Sequence, residues 1–135
     1  SVWLPCGRDV YGIALQEGLL TDACGGIYDF YQDMKQANKG DDVLMFVFTE
    51  FGRRVRDNGN GTDHGSGGVA FMIGDAVEGG HYSEYPSLNP EDLIEGDLAF
   101  NLDFRSLYTE ILEDWLEIEA NPVTKGTYEK VGFLK

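Results

Sequence analysis

Two short apolar runs constrain this chain more than any other feature. Val43-Leu44-Met45-Phe46-Val47-Phe48 is bounded by Asp41-Asp42 and by Glu50-Phe51-Gly52, and Val69-Ala70-Phe71-Met72-Ile73 is closed by Gly74. Neither run alternates polar with apolar residues, so each reads as a strand buried on both faces. Upstream, Leu15, Leu19, Leu20, Ala23, Ile27, Phe30, Tyr31 and Met34 recur at steps of three and four. That spacing predicts an amphipathic helix. Gly18, Gly25 and Gly26 weaken it by on the order of 1 kcal/mol each and predict a kink near Cys24. The helix should stop around Asn38-Lys39-Gly40, with lysines in its last turn. A helix followed by a buried strand is half of a βαβ unit, so residues 1–135 read as a single α/β domain.

The stretch between the two runs, Arg53 to Gly68, is rich in Gly, Asn, Asp and Arg and offers little to bury. It reads as a long functional loop. Past Gly74 the chain loosens through Gly79-Gly80 and Pro86 to Pro90, with a short hairpin expected around His81–Tyr85 and Asp97–Asn101. Phe104, Leu107, Tyr108, Ile111, Leu112, Trp115 and Leu116 then mark a second helix, with Asp103 as its N-cap. Its acids Glu110, Glu113, Asp114, Glu117 and Glu119 read as the solvated face, opposite a core face carrying Tyr108 and Trp115. The tail from Gly126 to Lys135 reads as irregular.

Charge narrows the range of partners. The 135 residues carry 24 acids and 10 bases, a formal net charge of −14. Residues from Asp75 onward hold 14 of the acids and 4 of the bases. Such a surface repels phosphate backbones and anionic membranes, so no nucleic-acid or membrane partner is expected. No apolar run is long enough to span a bilayer. Cys6 and Cys24 have neither disulfide-framework nor zinc-site spacing. As it stands the sequence reads as cytoplasmic, or as periplasmic where an export signal precedes Ser1.

The chemistry-bearing residues cluster in Thr49-Glu50-Phe51-Gly52-Arg53-Arg54 and in Gly61-Thr62-Asp63-His64-Gly65. Ligands bind at the carboxyl edge of open α/β sheets, and Asp, Glu and His are ligands suited to Zn²⁺ and Mn²⁺. The alternative is local: Asp63 caps a turn and His64 hydrogen-bonds nearby backbone. Arg53, Arg54 and Arg56 either grip an anionic small molecule or neutralise Asp57, Asp63 and other acids. Arg105 reads as a helix-start residue making ion pairs, and His81 as a surface residue.

The run TEFGRRV–DNGNGTDHGSGGVAFMIGDAVEGGHYSEYPSL, followed by DFRSLYTEILEDWL, resembles the C-terminal part of the domain of unknown function 1501 family. That family is sulfatase-like and is placed in the alkaline phosphatase superfamily. The resemblance runs from about Ile27 to Leu134. It implies a partial alkaline-phosphatase-like sheet, mostly parallel and flanked by helices, as in a truncated version of that fold. It also implies two divalent metals at the sheet's carboxyl edge. Glu50 falls where an Asp ligand usually stands, and His64 matches a later His ligand with Asp63 as its acidic neighbour. Phe51 stands where another His ligand would be. Further upstream, Asp9 matches an Asp ligand and Tyr11 replaces a His. The nucleophile of the superfamily has no counterpart here.

Two functions follow. One is a non-catalytic binding or assembly module that forms a homo-oligomer, a dimer covering the apolar surface left by half a sheet. The other is a hydrolase of phosphate or sulfate esters using Zn or Mn held by Glu50, Asp63, His64 and Asp9, with Arg53 and Arg54 binding the anion.

Overall fold

A computed structural model describes residues 12–59 and 61–135, with side chains placed from residue 17 onward. Asp9, Tyr11 and Cys6 lie outside the described residues.

Helix α1 spans Gly12–Gln36 and passes Cys24, Gly25 and Gly26 without a break in the helix. It stops where the sequence indicates, through Asn38 rather than Gly40. Asn38 takes φ 57, the Lys39 amide donates to the Met34 carbonyl at 2.8 Å, and the Asn38 amide donates to Lys35 at 3.0 Å. These two bonds close the paired C-terminal cap in which a left-handed residue satisfies the last carbonyls. Near its end, α1 is tied to the rest of the chain by Asp75. The Asp75 carboxylate accepts from the Tyr31 hydroxyl and, at 3.3 Å, from Lys35 Nζ. The tyrosine's hydrogen bond, followed by Lys35, holds the Asp75 carboxyl below its ordinary range. The same bond raises the Tyr31 phenol above its own.

The strands correct the sequence-based fold. β1 (Met45–Val47) pairs antiparallel with β4 (Phe71–Ile73), Phe46 opposite Met72. β2 (Gly52–Asp57) pairs antiparallel with β3 (Thr62–Gly65). The sheet is therefore two antiparallel pairs, and a mostly parallel, alkaline-phosphatase-like sheet is not formed. The physical reason lies between the apolar runs. A parallel pair needs a long crossover, usually a helix. Here the connection folds into the β2–β3 hairpin, which sends the chain straight back. The expected structureless loop at 53–68 is thus an ordered ribbon whose turn is closed by the Asn58 amide donating to the Gly61 carbonyl at 2.9 Å, with Gly59 at φ 95 and Gly61 at φ 137. Glycines at positions of positive φ are the turn signal that the composition of the stretch concealed.

Neither apolar run is a fully buried strand: β1 is half-buried throughout, and Phe71 and Val69 are exposed. The expected hairpin at 81–85 and 97–101 forms no ladder, although Ser83 Oγ meets Asn101 Oδ1 at 2.6 Å and the Asn101 amide reaches the Glu84 carbonyl. A tighter turn lies inside it, where Ile94 and Asp97 exchange both backbone hydrogen bonds around Glu95 and Gly96.

Helix α2 (Phe104–Glu110) starts at Asp103 as expected, its carboxylate accepting from the Arg105 amide at 2.9 Å. It continues as a π-helical turn, Ile111–Trp115. Short helix α3 covers Asn121–Thr124. The acids Glu113, Asp114, Glu117 and Glu119 are exposed as expected, and Tyr108 and Trp115 are half-buried, but Glu110 is not on the solvated face. The deepest side chains of α2 are Ser106, Thr109 and Glu110, while Phe104 is 60% exposed. The polar side packs towards α3 and the tail. On the apolar side, Tyr108 meets Phe46 edge-on at 5.7 Å.

Glu110 is 1% exposed and accepts three backbone amides of the tail, from Val131 at 2.8 Å, Gly132 at 2.6 Å and Leu134 at 2.8 Å. It belongs to the interior rather than to a solvated face. The tail it holds lies beside residues 76–78, with Glu78 donating to the Phe133 carbonyl and Val77 bridged to Leu134. Phe133 and Ala120 are the hydrophobic side chains buried among the described residues.

Candidate functional site

The β2–β3 ribbon brings the two motif segments together. Gly52 pairs with Gly65 and Arg53 with His64. Both glycines are forced by close packing: a Cβ on Gly52 would overlap the Gly67 backbone, and one on Gly65 would collide with the Asp97 carboxylate. Asp97 locks this corner by accepting from the Ser66 amide at 2.9 Å and from its neighbour Leu98 at 2.8 Å.

On one side of the ribbon, the His64 ring lies on Phe51, centroids 3.7 Å apart and planes 12° apart. The Arg53 guanidinium stands 5.4 Å from the centre of the same Phe51 ring and donates to the Thr62 carbonyl at 2.7 Å. His64 is thus the outer layer of a stack, with an exposed ring. Glu50 is exposed on the bend that enters β2. Asp63, next to His64 along β3, points the other way by strand alternation, where it accepts from Asn58 Nδ2 at 2.7 Å. The Asp57 carboxylate accepts from the Gly59 amide at 2.5 Å, holding the turn.

The other side opens into a cleft between β2 and residues 88–96, holding Arg54, Arg56, Asn58 and Asp63 against Leu88, Pro90 and Leu93. Between Arg53 and Asp57 the ladder slips, so three β2 residues, 54 to 56, oppose Asp63 alone. Arg54 reaches the Glu95 carbonyl at 3.5 Å. Among the described residues none of the three ribbon arginines makes an ion pair within 4 Å, although Arg54 and Arg56 share the cleft with Asp57, Asp63 and Glu95.

A divalent metal needs several oxygen or nitrogen ligands converging on one point. Among the described residues no three His, Cys, Asp or Glu side chains are so gathered. Asp63 and His64 diverge, and Glu50 lies on the approach to the ribbon. The residues described do not fit a closed metal centre.

Arg105 behaves as expected, gripping Asp103 through Nε at 2.9 Å and Nη2 at 2.6 Å. It also lies 4.3 Å over the Tyr128 ring. Its guanidinium holds the Asp103 carboxyl below the ordinary value. His81 stacks on Tyr85 at 4.9 Å on the surface. Asp75, Asp97 and Glu110 were missed as organising residues. Only Glu110 left a trace in sequence, because it follows Leu107 by three positions and so shares part of that residue's helical face.

A family model described as "Protein of unknown function (DUF1501)" matches residues 15–126. The chain belongs to that family. No curated protein matches it, and no solved structure does. No helix among the described residues is long and apolar enough to cross a membrane.

Proposed function

We propose that this chain is a binding and assembly module, related to the C-terminal portion of sulfatase-like proteins of the alkaline phosphatase superfamily. A second copy covers its apolar surface. The observation that carries this reading is the surface itself. Among the described residues it is strongly apolar: Leu20, Tyr28 and Phe30 on α1, Val69 and Phe71 at β4, and Leu88, Leu116 and Ile118 elsewhere are all exposed, and exposed apolar surface on this scale marks a face that a partner covers. Sedimentation equilibrium tests the reading. A reversible dimer is expected at micromolar concentration, and a monomer throughout would sink it.

A second reading, a hydrolase of phosphate or sulfate esters, is favoured by one observation, the ladder that sets Arg53 opposite His64. In it Arg53, on the same side of the ribbon as His64, holds the anion, and the zinc or manganese expected at Glu50, Asp63, His64 and Asp9 is what metal content tests. Elemental analysis of the purified chain beside His64→Ala separates the readings. Bound metal that is lost in the variant would favour the hydrolase. Equal absence of metal from both favours the assembly module.

A further inference from the structure

We propose that Asn58 is a site of spontaneous deamidation, and that the Asp57 and Asp63 carboxylates are its brake. Modification at Asn58 then records how often the β2–β3 turn opens. The inference does not depend on what the chain binds.

Asn58 and Asn60 are the asparagines followed by glycine. Before a glycine, the side-chain amide of asparagine is open to attack by the next backbone nitrogen, because no Cβ stands in the way. The surroundings are open as well. Asn58 and Gly59 are both exposed, and a Cβ built on Gly59 would meet nothing within 4 Å. Water therefore reaches the reacting groups.

The reaction needs only that water. The Gly59 nitrogen bonds to Asn58 Cγ as the Cγ–Nδ2 bond breaks, and the Gly59 proton leaves with Nδ2 as ammonia. A water molecule then opens the cyclic imide. Cleavage at Cγ gives aspartate, and cleavage at the backbone carbonyl gives isoaspartate. Ammonia is lost, water is consumed, and no oxidation state changes.

The folded ribbon opposes the first step with three hydrogen bonds. Asp63 accepts from Asn58 Nδ2 at 2.7 Å and so holds the leaving amide. Asp57 accepts from the Gly59 amide at 2.5 Å and so engages the nucleophile. The Asn58 amide donates to the Gly61 carbonyl at 2.9 Å and fixes the main chain of the turn. Ring closure swings the Asn58 side chain onto the Gly59 nitrogen, so both carboxylates must first let go. Their charge makes these bonds stronger than neutral ones. The reaction thus waits for local opening of the turn.

Conversion changes the ribbon. A carboxylate at 58 replaces the donor that faces Asp63, close to Asp57, and like charges so placed repel. Isoaspartate also lengthens the main chain by a methylene inside the turn that sets Arg53 opposite His64. A ribbon that has opened and reacted closes less well afterwards.

The test is peptide mapping by mass spectrometry of the full chain during storage at neutral pH, native and unfolded in urea. Conversion adds about 1 Da to the peptide carrying Asn58, and fragmentation separates Asn58 from Asn60. Asn58 should convert in the native chain, about tenfold more slowly than in urea. Asp63→Ala and Asp57→Ala should each quicken native conversion by about threefold or more. Asp63→Asn, which keeps the shape of the side chain so that the ribbon folds, should quicken it by less. Native conversion as fast as that in urea overturns the brake, and so do variants that react as the natural chain does. An Asn58 that stays intact through about a hundred of its half-lives in urea overturns the site itself.

Discussion

Glu110 shows how a single carboxylate can organise an irregular segment. Its two oxygens take three amides of the tail, at 2.6 to 2.8 Å, in a region with no ladder to satisfy them. Removing the acceptor takes a charged partner from three part-buried amides at once, which is costlier than losing an exposed ion pair. Glu110→Ala should lower unfolding free energy by about 3 kcal/mol or more, read from urea denaturation, while Glu113→Ala on the exposed side changes it little. Glu95 offers the opposite case. It opens the two-residue turn between Ile94 and Asp97 at φ 53, followed by Gly96 at φ 80. That geometry favours Asn over a longer side chain. Glu95→Asn should raise the urea midpoint, by the equivalent of roughly 0.5–1 kcal/mol, with an unchanged denaturant slope.

Among the elements, α1 depends most on one residue. Asp75 accepts from Tyr31 and Lys35 and, through its carbonyl, from Lys135 Nζ at 2.6 Å. The Asp75 carboxyl titrates below its ordinary 3.8, so its contribution is present at neutral pH and is lost as acid protonates it through that lowered value. Tyr31 and Lys35 titrate above 10.0 and 10.5, so their share is full below those values and is lost as alkali removes their protons. Docking of α1 should hold between these limits. Amide protection factors across residues 31–39, taken against the intrinsic rate at each pH, should fall below about pH 4, and in Asp75→Asn they should be low at neutral pH too. Slow exchange in that variant would show that other contacts hold the helix. The elements also show what the sequence could reveal. The extent of α1, its C-terminal stop and the Asp103 cap were legible because they depend on neighbours a few residues away. The pairing of β1 with β4 was not, because the glycine-dependent turn between Asn58 and Gly61 decides the route between them. The side of α2 that would be buried was also hidden, because the tail is drawn to Glu110 rather than to the helix's apolar stripe. Of the candidate site, the meeting of the two motifs on one ribbon matched the sequence grouping. The divergence of Asp63 from His64 is a property of strand geometry, and it emerges only once β3 exists.

For the whole molecule, a small interior and a large exposed surface make stability a shared property of the copies. If a second copy supplies the missing cover, the urea midpoint should rise with chain concentration, by mass action, and a concentration-independent midpoint would count against association. The ties described above also set how fast the chain can find its shape. Tyr31 meets Asp75 across 44 positions, Glu110 meets Leu134 across 24, and Lys135 meets Asp75 across 60. Each closes a long loop whose entropy is lost before the contact rewards it. The 25-residue helix α1, held mainly by local contacts, should form early and then wait. Refolding followed by amide protection should show α1 ordered well before the tail settles against Glu110, at a rate closer to that of a β-rich domain than to that of a helical bundle.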